Sequence, residues 1–76
     1  MSHWDAKVDA RELLCSLPVL RARKVLVGMA PAAVLRVLAS DPMAVVGLPH
    51  FCIEAGHGFL DTSEVEEGQA YLIRRG

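Results

Sequence analysis

Two short segments, Ser16-Leu17-Pro18 and Ser40-Asp41-Pro42, constrain this chain more than any other feature. Each sets a good helix N-cap residue just ahead of a proline. Proline is tolerated in a first helical turn because its missing N–H would be unpaired there anyway. After the first segment, Val19, Ala22, Val25, Leu26 and Met29 fall on one face at helical spacing, with Arg21 and Lys24 opposite. Gly28 and Pro31 close that helix. In the second segment Asp41 is the expected N-cap and Pro42 the first helical residue. Ala44, Leu48, Phe51, Cys52 and Ala55 then make the buried stripe. Pro49 removes one backbone donor, which predicts a short first turn, a kink, and a second segment from Leu48 onward. Gly56 supplies a left-handed C-terminal position.

The stretches between and after these helices read as strands. Residues 6–10 form a short first strand, followed by a loop from Arg11 to Cys15. Residues 33–39 alternate, with Leu35, Val37 and Ala39 on one face and Arg36 on the other. Residues 57–65 and 69–74 make two further strands joined by the turn Glu66-Glu67-Gly68. The order is βαβαββ. The expected fold is an α/β (α+β) two-layer sandwich, with a four-stranded mixed sheet and two helices packed on one face. The other sheet face is expected to be partly open. With 53% hydrophobic and only 5% aromatic residues in 76, the core must be mainly aliphatic, and residues 1–76 are expected to form one domain.

Several classes of function are excluded. Two cysteines cannot make a dense disulfide framework, and no C-x-x-C or H-x₃₋₅-H spacing offers a zinc site. No apolar run approaches the roughly 18 residues of a membrane span. The polar start Met1-Ser2-His3-Trp4-Asp5 lacks the features of a secretory signal, so a soluble cytoplasmic domain is expected. A net charge of −1 argues against a dedicated nucleic-acid binder, and Trp4, Phe51, Phe59 and Tyr71 form no aromatic ladder among basic residues. The charge is nevertheless unevenly placed. Residues 1–38 hold six cations against three carboxylates, and residues 39–76 two cations against six. Such polarity can orient a docking partner or be an ordinary solvated surface.

Cys15 is the most informative residue for chemistry. It directly precedes a helix start, where N-terminal amides and the helix dipole favour an anion. A thiolate there is a better nucleophile, and Arg11, Arg21 and Lys24 are close enough in sequence to add positive potential. The residue types alone leave two readings open: a reactive thiol, or a cysteine packed as a small hydrophobe. Cys52 belongs to an apolar helix stripe and reads as packing. His50 and His57 share no ligand spacing with Cys52 and read as surface or helix-end residues. No phosphate loop, carboxylate pair or Ser-His-Asp set is present.

The stretch Asp9-Ala10-Arg11-Glu12-Leu13-Leu14-Cys15-Ser16-Leu17-Pro18 resembles the D-x-x-G-x-x-C-P-x-P signature of the TusA/SirA-like sulfur-carrier family. The resemblance extends through Ser40-Asp41-Pro42, Leu48-Pro49-His50-Phe51-Cys52, Gly56-His57 and Tyr71-Leu72-Ile73-Arg74. It implies the βαβαββ fold and a sulfur-relay role, a sulfurtransferase-like activity without a cofactor. Cys15 would carry the sulfur as a persulfide, with Glu12, Ser16 and Pro18 as motif positions around it. The implied partners are a sulfur-donor protein, a cysteine desulfurase or rhodanese-like protein, and a downstream acceptor protein. The pathways implied are tRNA thiolation, molybdenum-cofactor synthesis or sulfur oxidation. The carrier is expected to be a monomer with no direct nucleic-acid contact and no membrane attachment.

Three positions depart from the family pattern. Ser16 replaces a proline, which restores a donor and adds a hydroxyl able to cap the helix or bond the sulfur. Glu12 replaces a glycine, bringing a carboxylate that would raise a nearby thiol pKa and removing backbone freedom. Gly47 stands where an acidic residue is common. Glu12 and Ser16 motivate an alternative: a non-catalytic regulatory or protein-binding module that keeps the fold without the relay.

Overall fold

The computed structural model describes residues 3–14 and 16–76. The elements run β1 (Ala6–Asp9), α1 (Leu17–Val27), β2 (Val34–Ala39), α2 (Ala44–Ala55), β3 (Gly58–Val65) and β4 (Gly68–Arg74). The four strands form one mixed sheet in the order β1-β2-β4-β3. β1 is parallel to β2, while β4 is antiparallel to both of its neighbours. This is the expected two-layer arrangement.

The register decides which side chains meet the helices. Val8 pairs with Val37 and Val37 with Tyr71, and Leu35 pairs with Ile73, so these residues share one face. Against them pack Ala22 and Leu26 of α1 and Ala44, Leu48 and Cys52 of α2. The core is aliphatic apart from Tyr71, whose hydroxyl donates to Gln69 Oε1 at 2.8 Å. The opposite face is less open than alternation predicts: Leu38 and Ala70, paired across β2 and β4, are both buried there. The Trp4 ring also covers part of that face, with the Arg36 guanidinium carbon 4.5 Å from its centroid.

Both helices cross back over the sheet. β2 and β3 each run antiparallel to β4 and are therefore parallel to one another. It follows that α1 and α2 run parallel and begin at the same end of the sheet, where β1 and β2 finish. α1 contacts β1 and β2, and α2 contacts β3.

Four local expectations are corrected. First, α2 is one continuous helix through Pro49, without a separate opening segment. Pro49 forfeits a single i→i−4 bond, to the Val45 carbonyl, and the buried residues Ala44, Leu48 and Cys52 hold the helix to the sheet on both sides of it. Second, α2 begins later than expected, with Met43 as its N-cap. Asp41 and Pro42 lie in the preceding turn, where the Met43 N–H donates to Asp41 Oδ1 at 3.0 Å and the Ala44 N–H to the Asp41 carbonyl at 3.0 Å. Third, Ala55 is exposed and outside the buried stripe, because it ends the last turn beside the left-handed Gly56 (φ 80°). Fourth, β3 starts at Gly58, since the His57 N–H is used by the Cys52 carbonyl to close α2.

At the β3–β4 turn Glu67 has φ 60° and Gly68 φ 157°. A Cβ built on Gly68 would lie 2.5 Å from the Ala39 carbonyl oxygen, so only glycine lets the hairpin approach the end of β2 this closely. Gly68→Ala is expected to destabilise the fold by about 1–3 kcal/mol, read as a lower midpoint in urea unfolding with little change in slope.

Candidate functional site

Three loops meet at the end of the sheet where both helices begin: residues 10–14, 40–43 and 66–67. The first is tied down residue by residue. The Ala10 N–H donates to the Leu38 carbonyl at 2.7 Å, which prolongs the β1–β2 ladder. Arg11 then folds back on Asp9, with Nε to Oδ1 at 2.9 Å and Nη2 to Oδ2 at 2.7 Å. Its Nη1 reaches across to the Glu66 carbonyl at 3.0 Å, which fastens the loop to the hairpin turn. The Glu12 N–H donates to Ser40 Oγ at 2.9 Å, which fastens the same loop to the segment that leads into α2.

Arg11 was expected as part of an electropositive surround. The structure instead pairs its guanidinium with a carboxylate in a planar two-point contact, which makes it a clamp. The Arg11 hydrogen bonds hold the Asp9 carboxyl at about 2, below its usual range. A carboxyl depressed in the folded state adds stability that is present above its unfolded pKa and is lost as pH falls toward the folded value. Compared with Asp9→Asn, the native chain is therefore expected to lose extra stability between about pH 4 and about pH 2. Unfolding curves recorded across that range check this.

Glu12 occupies the position of the family glycine and retains a glycine-like backbone. Its φ is 77°, in the left-handed region, and its side chain is exposed. The turn is thus kept while a side chain is carried in a conformation that costs a non-glycine residue of order 1–2 kcal/mol. Glu12→Gly is expected to raise stability by about 0.5–1 kcal/mol in chemical denaturation, because relief of that strain exceeds the entropy cost of glycine. Glu12→Val should lower it.

Cys15 itself lies outside the described residues. Its neighbours on both sides are described, and both are exposed: Leu14 at 64% and Ser16, the N-cap of α1. Ser16 occupies the expected place without using its hydroxyl as a cap. Its backbone is already helical (φ −83°, ψ −2°), and its carbonyl accepts from the Leu20 N–H at 2.9 Å. Pro18 is in the first turn and buried. Neither α1 nor α2 has an acidic residue in its first turn. Arg21 and Lys24 stand exposed on the outer side of α1.

Cys52 is the contrasting thiol. It is 1% exposed in the core, and burial pushes it up to about 11. It stays protonated at neutral pH and behaves as packing. His50 lies exposed beside Glu54 (Nε2 to Oε1 3.2 Å). His57 stacks near Phe51 and accepts the Gly76 N–H on Nδ1 at 2.9 Å. Among the described residues no group of three His, Cys, Asp or Glu side chains is placed to hold a metal ion, and no helix is long and apolar enough to cross a membrane.

Sequence reasoning missed an apolar groove beside this loop. It is lined by Ser16, Val19, Met43, Val46, Gly47 and His50, with a volume of about 440 Å³. The exposed apolar residues Met43 and Val46 and the small Gly47 early in α2 are its trace in the sequence, but placing them beside Val19 needs the sheet topology as well.

A two-layer βαβαββ domain with a single cysteine loop at the start of its first helix defines a compact class of protein. The model of one family, described as sulfurtransferase TusA, matches residues 6–75. A sulfur carrier protein TusA of Allochromatium vinosum is 35% identical over 75 residues, covering 99% of each chain. One from Pseudomonas entomophila is 37% identical over 71 residues, covering 93% of this chain and 89% of that one. The crystal structure of a SirA-like protein from Desulfitobacterium hafniense superposes with a TM-score of 0.76 at 24% identity, over 92% of this chain and 95% of the other, which supports the fold. The chain belongs to the TusA family.

Proposed function

We propose that this chain is a sulfur carrier with Cys15 as its persulfide site, and that residues 1–76 act as one domain for that purpose. The observation that carries this reading is the pairing of the family cysteine position with the start of α1, where both flanking residues are exposed and the first turn holds no carboxylate. The helix dipole at such a place favours a thiolate.

The transfer is an exchange without net oxidation. The Cys15 thiolate attacks the outer sulfur of a donor persulfide, R–S–SH. A new S–S bond forms on Cys15, the donor S–S bond breaks, the proton stays with the transferred sulfur, and R–S⁻ leaves. Delivery to an acceptor thiolate repeats the same step with the roles reversed. No cofactor is needed for either half. A cysteine desulfurase or rhodanese-like protein fits the donor role, and a cytoplasmic setting fits a reduced, reactive thiol.

The test is mass spectrometry after loading by two routes, inorganic polysulfide and a cysteine desulfurase with L-cysteine. The expected result is one added sulfur on Cys15, lost in Cys15→Ser, with Cys52 unmodified in the native state. The Cys15 pKa, read from alkylation rate against pH, should lie below the model value of about 8.5. A thiol at or above that value, with no added sulfur by either route, would favour a non-catalytic module with the same fold.

A further inference from the structure

We propose that the groove between the first turns of α1 and α2 receives a large apolar side chain presented on an acidic surface segment of a partner protein. The groove is apolar by construction. Val19, Met43, Val46 and Gly47 supply most of its lining, and no charged side chain other than a titratable His50 enters it. Met43 and Val46 are 62% and 65% exposed, and Leu17 and Leu20 continue the apolar surface along α1. So many large apolar side chains on one end of a small domain mark a contact surface.

Gly47 is what leaves the groove open. A Cβ there would stand 3.4 Å from Val19 Cγ2, so any longer side chain would occupy the space between the helices. A groove of about 440 Å³ has room for one large side chain, the kind that dominates an interface when it fills a preformed pocket.

Charge selects the surroundings of that anchor. α1 carries Arg21, Arg23 and Lys24 and no acidic residue. Arg23 follows Val19 by four positions, on the same side of the helix as the groove. The N-terminus of α1 adds positive potential, while at the start of α2 the Asp41 carboxylate is taken up by the Met43 N–H, and Glu54, the one carboxylate of α2, pairs with His50. A complementary partner segment is therefore acidic around its apolar anchor. Ser16 is both a wall of the groove and the next residue after Cys15, so an occupant of the groove touches the residue adjoining the carrier cysteine in the chain. Only the identification of that occupant as a sulfur donor or acceptor rests on the sulfur-carrier reading.

The experiment uses the intact chain and a short synthetic peptide with one phenylalanine flanked on both sides by glutamates. Binding is followed by amide chemical-shift mapping and fluorescence anisotropy. The expected shifts centre on Val19, Val46, Gly47 and His50. Replacing the phenylalanine by serine, or the glutamates by lysines, should each weaken binding by at least about tenfold. Gly47→Glu fills the groove and Val46→Asp places a like charge at its rim; each should weaken binding by a similar factor while circular dichroism shows an unchanged fold. Undetectable binding, shifts centred elsewhere, equal binding of the three peptides, or indifference to both variants would overturn the proposal. So would the same shifts appearing on concentration of the protein alone with a doubled mass, since the occupant would then be a second copy. The peptide contains no sulfur, so this result is independent of whether Cys15 takes up a persulfide from polysulfide.

Discussion

The Arg11 guanidinium joins the end of β1, through Asp9, to the β3–β4 turn, through the Glu66 carbonyl. These segments lie 55 residues apart in the chain and on opposite sides of the sheet centre. With the Glu12–Ser40 bond, the clamp ties the loop ahead of Cys15 to the other two loops at that end of the sheet. The rest of the functional end depends on this closure. A thiol in a loop is useful for exchange only if the loop arrives at the helix start in a fixed direction, and here the fixing is done by groups upstream of the cysteine.

The outline of the fold was legible because its signals are local. Apolar residues three and four apart marked α1 and α2, alternation marked β2, and Glu66-Glu67-Gly68 marked the hairpin. The errors arose where a tertiary contact outweighs a local preference. Pro49 has a strong intrinsic tendency to break a helix, yet Leu48 and Cys52 anchor the chain on either side of it. Glu12 disfavours a left-handed backbone, yet its N–H and its neighbour Arg11 are bound to distant loops, so the turn persists. The sequence puts Arg11 close to Cys15 along the chain but could not show that its charge is matched by Asp9. The groove was invisible for a related reason: its two walls come from helices whose parallel alignment follows only from the strand order.

The two cysteines stand at very different places along the chain. Cys52 lies within the apolar stripe of α2, and removal from water keeps its proton in place. The position of Cys15 follows an exposed residue and precedes a helix start without carboxylates. In any small domain that exchanges sulfur at one thiol, a second accessible thiol would compete for the sulfur and close an intramolecular disulfide, and a buried, protonated Cys52 does neither.

The strand order also converts an uneven sequence into an uneven solid. Lys7 on β1, Arg36 on β2 and the three cations of α1 lie toward one edge of the sheet. Asp61 and Glu64 on β3, with Glu66 and Glu67 in the adjoining turn, lie toward the other. The edge strands are separated by three strand spacings, roughly 14 Å. The axis of this charge gradient runs across the strands, whereas the helix dipoles point along them, toward the cysteine end. The two fields are thus close to perpendicular. Crossed fields of this kind are able to fix both the end of a small domain that a charged body approaches and its rotation about the line of approach.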